Sequence, residues 1–347
     1  MIHNEYLICG AFSFDTMATG GQPVKTRELY YLIKDEYGSK EVDFLEITTW
    51  KSNPFKLLYD FFCKAYRANN IIMLPAHNGV LVFSGLLVLC KVLFGKKIYY
   101  DVIGGWLAGR TKKKKWLTYK LKRFDGIWVE TSSMQKDLEN LGFQNVSVFK
   151  NFKKLEPVSV CEFINSEPHK LCTFSRVMKE KGITDAITAV QTINKKHGRL
   201  VYLLDIYGPV ENLYESEFEQ LIYNNQECVT YKGIVHPQDS VTILKSYFAL
   251  LFPTLFYTEG IPGTIIDAYF AGVPVIAAKW LNFGDVIENG KTGYLYKFGE
   301  YDEFVKILDL IANNPEQLSN LKHNCIEKSA DFSVSAARKR FIELTKI

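Results

Sequence analysis

The sequence predicts an α/β protein with two doubly wound parallel sheets, one in each of two domains. Three observations lead there. Short apolar runs alternate with helical patterns. The alternation breaks at an irregular segment and then restarts. The chain has 347 residues, more than one ordinary core serves.

In the first half, Tyr6-Leu-Ile-Cys-Gly10 reads as a short buried strand. A polar loop containing Gly20-Gly21 follows, then a helical pattern from about Val24 through Leu29, Leu32 and Ile33. Further strands are expected at 44–47, 71–74, 97–100, 126–129 and 146–149, with helical patterns between most of them. Such an order implies a parallel sheet covered on both faces. The stretch 156–169 is irregular and holds Pro157 and Pro168. It divides the chain into domains 1–155 and 156–329. New strands are expected at 171–175, 200–208, 229–231, 249–253 and 273–277. A last helix, about 330–347, carries Ala337, Phe341 and Leu344 on one face and is expected to pack back on the first domain.

Composition excludes some functions. The net charge of +4 is too mild for a nucleic-acid partner. Seven cysteines without a C-x-x-C pair argue against a disulfide framework or zinc site and fit a reducing cytoplasm. The start MIHNEYLICG has no basic stretch followed by a long apolar run, so no secretory signal is expected there. The apolar run 80–94 is interrupted by Lys91 and is too short to span a bilayer, which leaves a buried or interfacial helix. Gly10 stands alone after the first strand, without the G-x-G-x-x-G of a dinucleotide enzyme.

The chemistry concentrates in TEGIPGTIIDAYFAGVPVIA, residues 258–277. It reads as a Gly-rich loop after a strand ending at Pro253, then a helix from Gly263-Thr264. Exposed backbone amides and a helix N-terminus favour an anion, and a nucleotide diphosphate suits such a place. Glu259 lies in the loop, and Asp267 lies about one turn into the helix. Two acids so placed can accept hydrogen bonds from sugar hydroxyls.

This segment resembles the acid–x7–acid motif of the retaining family-4 glycosyltransferases, which have the GT-B fold. The resemblance is strong from about 171 to 300 and weaker over 1–150. It implies two Rossmann-like domains facing a central cleft, with the donor bound by the second and the acceptor by the first. It implies that Glu259 contacts the donor sugar. Gly260, Ile261, Gly263 and Thr264 would lie near sugar and phosphates, and Asp267 would hold the ribose hydroxyls. Glutamate is usual at that last position, so the shorter aspartate is a departure. Residues 174–182 resemble the family's G-R-L-x-x-x-K-G segment, which implies that Arg176 and Lys181 pair with the diphosphate. Gly208 resembles a strand-end turn, Val235 a backbone position beside the nucleobase, and Gly20 and Gly21 the Gly-rich first loop. Residues 288–293 read as a structural hairpin turn. His77, Asp101 and Glu130 are the acceptor-side candidates. Singly, each of these is an ordinary turn or surface charge; their density and order carry the reading.

The implied activity is a retaining, metal-independent transfer with no cofactor. A hexose would pass from a nucleotide diphosphate sugar, UDP ahead of GDP, to a saccharide or polyprenyl-diphosphate-linked saccharide. A bacterial surface polysaccharide (capsule, O-antigen or exopolysaccharide) is the expected product. A sugar-nucleotide epimerase or phosphorylase of the same fold, and a non-catalytic partner subunit, stay open. The basic stretch from Arg110 to Arg123 is expected to meet an anionic membrane, inserting Trp116, Leu117, Tyr119 and Leu121. The location expected is cytoplasmic, peripheral on the inner face of the cell membrane.

Overall fold

Parallel pairing governs both sheets of the computed structural model, which describes residues 4–15, 20–159 and 167–346. The chain divides into two compact units, Met1–Lys154 with Phe332–Ile347, and Leu155–Asp331.

The first unit contains β1 (Asn4–Gly10), β2 (Val42–Glu46), β3 (Ala68–Met73), β4 (Lys97–Asp101), β5 (Gly126–Val129) and β6 (Val146–Val148). They lie in the order β2-β1-β3-β4-β5-β6. Between them run α1 (Gly21–Tyr37), α2 (Pro54–Arg67), α3 (Gly79–Phe94), α4 (Leu107–Lys113), α5 (Lys115–Leu121) and α6 (Ser132–Glu139). The last five residues of β1 are all buried, because helices cover both faces of the sheet. On one face Leu7, Cys9 and Met73 pack with Phe61 of α2 and Leu87 of α3. On the other, Tyr6, Ile8 and Ile72 pack with Leu29 and Ile33 of α1. Local sequence sets the helix ends. The Asn53 side chain accepts from the Lys56 N–H and Pro54 opens α2, while Gly95 closes α3 in the left-handed region.

The second unit contains β7 (His169–Phe174), β8 (Tyr202–Tyr207), β9 (Val229–Gly233), β10 (Ala249–Phe252), β11 (Val275–Lys279) and β12 (Gly293–Lys297). Its helices are α7 (Ile183–His197), α8 (Glu215–Asn224), α9 (Ser240–Leu244), α10 (Gly263–Phe270), α11 (Tyr301–Asn313), α12 (Glu316–Ser319) and α13 (Lys322–Ser329). The strand order is β12-β11-β10-β7-β8-β9. Counted from β7, this is the 3-2-1-4-5-6 order of nucleotide-binding doubly wound sheets, read from its other edge. Every strand expected from the alternation is present, within a few residues at each end.

One expectation is corrected. Residues 288–293 do not form a hairpin. They make a tight turn, with Gly290 N–H donating to the Gly293 carbonyl, and the chain then enters β12, parallel to β11. The turn glycines read as a hairpin because Gly-rich turns mark both kinds of strand entry. The final helix, α14 (Val334–Thr345), is capped by the Ser333 hydroxyl and belongs to the first unit. Its Phe341 contacts Tyr6, Trp128 and Phe149.

Candidate active site

In the second unit the strand order reverses between β7 and β10, the place where doubly wound sheets bind ligands beyond their carboxyl ends. The loops after these two strands carry Arg176 and Lys181 on one side and Glu259 on the other. Two glycines let neighbouring turns of this edge come close. Gly182 has φ +71, and a Cβ there would lie 1.9 Å from the Pro253 carbonyl oxygen. Gly208, ending the β8 turn, has φ +129 and leaves 1.8 Å between a would-be Cβ and the Ser175 oxygen. Neither contact admits a side chain.

Lys181 forms an ion pair with Glu259, and the Thr254 hydroxyl lies 3.3 Å from the same carboxylate oxygen. Both charged side chains are largely shielded, 14% and 17% exposed. The Lys181 ammonium also stands over the rings of Phe256 and Phe252, at 5.1 and 5.8 Å. The buried Asn282 donates to the Glu259 carbonyl, so the acid is held from main chain and side chain. Leu255 N–H donates to the Glu180 carbonyl and Leu281 N–H to the Tyr257 carbonyl, tying the loop down on both sides. Sequence reasoning gave sugar to Glu259 and diphosphate to Lys181 separately. The structure joins them, so a phosphate at Lys181 must share the cation with Glu259.

Arg176 is exposed, and among the described residues its guanidinium makes no ion pair or side-chain hydrogen bond. Gly260 and Ile261 are buried ahead of α10, which starts at Gly263. The Thr264 hydroxyl oxygen is buried and has no hydrogen-bond partner among the described residues. Asp267 is buried on α10, only 3% exposed, rather than lying open on the helix surface. Val235 is half-buried beyond β9, next to the exposed Ile234. Thr254 and Asn282 escaped sequence reasoning, since neither belongs to a spaced pattern.

The first unit reverses its strand order between β1 and β3. Gly20 caps α1 there and Gly21 is its first residue. His77 follows β3 and stacks on Trp106 at 4.2 Å between centroids. Burial, then the Arg110 charge, lowers its pKa. Asp101 and Glu130, the other acceptor-side candidates, are both buried, at 0% and 2% exposure. Lys25 of α1 lies between them, 2.8 Å from Asp101 Oδ1 and 3.0 Å from Glu130 Oε1, and donates to the Val102 carbonyl. These acids end adjacent strands, so the cation ties the α1 start to the sheet's carboxyl edge. The triad escaped the sequence because its members are 76 and 29 residues apart, at 25, 101 and 130.

The basic stretch is also corrected in part. It breaks at Lys114 into α4 and α5, and Leu117 and Leu121 are core residues at 0% exposure. Trp116 and Tyr119 are exposed, as are Val82, Leu89, Val92 and Leu93 of α3. Among the described residues no helix is long and apolar enough to cross a membrane.

Residues 161–330 match the family described as Glycosyl transferases group 1. The matched stretch, just under half of the chain, lies within the second unit. Over 152 residues it is 27% identical to the capsular polysaccharide biosynthesis glycosyltransferase CapM of Staphylococcus aureus, covering 43% of this chain and 38% of the relative. The chain thus spans well under half the length of that relative. The whole chain superposes on Anabaena HepE in complex with UDP, with a TM-score of 0.77 at 15% identity over 99% of this chain and 100% of that one. It also superposes on the sucrose-phosphate synthase of Thermosynechococcus elongatus, with a TM-score of 0.79 at 13% identity over 99% and 98%. The fold is GT-B, with two Rossmann-like units.

Proposed function

We propose that the chain is a retaining glycosyltransferase that moves a hexose from UDP-sugar to a saccharide or lipid-linked saccharide during bacterial surface-polysaccharide synthesis. The carrying observation is the Lys181–Glu259 pair beside the open Arg176 at the reversal point of the second sheet. Arg176 and Lys181 neutralise the diphosphate as charge builds on it, without a metal. The amides opening α10 add partial positive charge. Glu259 orients the sugar and Asp267 the ribose. The bond from the anomeric carbon to the phosphate oxygen breaks, and its electron pair stays on that phosphate. The acceptor oxygen bonds to the anomeric carbon from the same face, and its proton passes to the leaving phosphate. A capsular-polysaccharide relative and a UDP-bound structural neighbour support the pathway and the base.

A thermal-shift titration with UDP and GDP tests the donor. UDP raises the melting temperature and GDP does so less; a larger response to GDP reverses the choice of base, and no response to either refutes the reading.

The membrane proposal moves to a composite face. Lys120 of α5 sits over α3, where a Cβ on Gly85 would be 3.1 Å from its ammonium. The exposed α3 residues therefore adjoin the basic α4–α5 stretch. Each cation near an anionic surface contributes about 1 kcal/mol. Replacing Lys112, Lys113, Lys114 and Lys115 by Ala should release the protein from anionic vesicles in a sedimentation assay. Wild type that fails to sediment with such vesicles refutes the membrane role.

A further inference from the structure

The first unit holds a cavity of about 430 Å³ that the donor chemistry does not use. It lies between α2, which contributes Leu57, Leu58 and Phe61, and α3, which contributes Val82, Phe83 and Leu86. Its volume falls in the usual range for small-ligand sites, about 300–1,000 Å³. The walls are mostly hydrocarbon, yet one end is polar. Gln22 at the start of α1, Thr48 after β2, and His77 and Asn78 after β3 line that end. Gln22 immediately follows the Gly20-Gly21 pair, and its amide is fixed by donation to the Leu74 carbonyl at 3.0 Å.

A positive charge stands beside the polar lining. Arg110 donates to Asn78 Oδ1 at 3.2 Å and stands 6.0 Å from the Trp106 ring that stacks on His77. A cation therefore borders the polar end, with Lys112 and Lys113 in the same helix. Trp50, Leu58 and Val82 also line the cavity and remain partly exposed. A partly exposed apolar wall, with a guanidinium hydrogen-bonded to one of the lining residues, complements an amphiphile with an anionic head. It does not complement a free sugar, which would leave its hydroxyls against Leu57, Phe61 and Phe83.

We propose that this cavity binds the hydrocarbon chain of a phosphate-bearing prenyl lipid, the lipid part of the acceptor. It rests on the lipid-linked acceptor proposed above and specifies where the chain goes. Methylenes taken from water into such a cavity would hold the chain there. The phosphate end lies by Arg110, which leaves the head group at the carboxyl edge of the sheet beside Gln22 and His77.

The test uses farnesyl phosphate at monomeric concentration, with tryptophan fluorescence and calorimetry as readouts. Trp50 lines the cavity and Trp106 stacks beside its polar end, so binding changes the emission. Val82→Trp and, separately, Leu58→Trp put bulk at the mouth from partly exposed positions, which keeps the core intact. Both variants should weaken farnesyl phosphate about tenfold or more, a loss of about 1.4 kcal/mol or more. Their melting temperatures and their UDP responses should match wild type. Inorganic phosphate should compete poorly. The proposal is overturned if farnesyl phosphate does not bind, if both variants bind it as wild type does, or if inorganic phosphate displaces it at equal concentration. Loss of the UDP response with farnesyl phosphate binding retained supports the cavity and refutes the donor reading instead, so the two failures are told apart.

Discussion

Glu259→Gln should lower sugar transfer by about 10²–10³-fold, the range for removing one preorganised polar contact at a transition state. The same change should tighten UDP binding. The opposite signs follow from the geometry. Lys181 is paired with Glu259 and lies over two aromatic rings, in a site with little solvent around either charge. Neutralising the acid leaves the ammonium whole for the diphosphate, while the sugar loses its carboxylate acceptor. Lys181→Met should behave differently: UDP affinity falls, and transfer falls with it. The double variant should lose less than the sum of the two, because the residues touch. Steady-state kinetics and UDP titration of the three variants check this. If Glu259→Gln transfers sugar at the wild-type rate, Glu259 merely holds Lys181 in place and the assignment fails.

That pairing marks the limit of what the sequence displayed. Inner strands such as β1 and β10 were legible because they are buried on both faces and read as unbroken apolar runs between helical patterns. The loop holding Glu259 and the start of α10 were legible because glycine and proline mark turn and helix entry locally. Contacts between distant segments were not. Lys181 and Glu259 are 78 positions apart, and only the adjacency of β7 and β10 brings them together. Exposure was misjudged for the same reason. Leu117 and Leu121 share a short basic helix with Trp116 and Tyr119, and composition alone does not say which side meets the sheet. Asp101 and Glu130 looked like cleft acids because they end strands. The cation that claims them comes from α1, far away in sequence.

Lys25→Met should destabilise the first unit by about 3–5 kcal/mol, the cost of stranding a buried charge. Lys25 is only 2% exposed and faces two buried carboxylates, so the cluster already carries excess negative charge. Burial foremost pushes the Asp101 carboxyl up to about 6; the Lys25 charge opposes the rise and Glu130 adds to it. One of its oxygens, Oδ2, has no hydrogen-bond partner among the described residues. The sign of the pH dependence follows. The folded pKa exceeds the ordinary value of 3.8, so the stability Asp101 contributes is present below about pH 4 and is lost as pH rises through 6. Without Lys25 nothing opposes burial, and Asp101 stays protonated to higher pH. The deficit of Lys25→Met should therefore be smaller at pH 5 than at pH 8. Adding Asp101→Asn should recover part of it. Urea unfolding followed by tryptophan emission reads this unit, because Trp50, Trp106, Trp116 and Trp128 lie in it and only Trp280 lies in the other. A loss below about 1 kcal/mol that does not vary with pH would show that the triad is no keystone of this unit. A large, pH-dependent loss would instead establish that the start of α1, with Gly20 and Gly21, is held in place by charge rather than by packing.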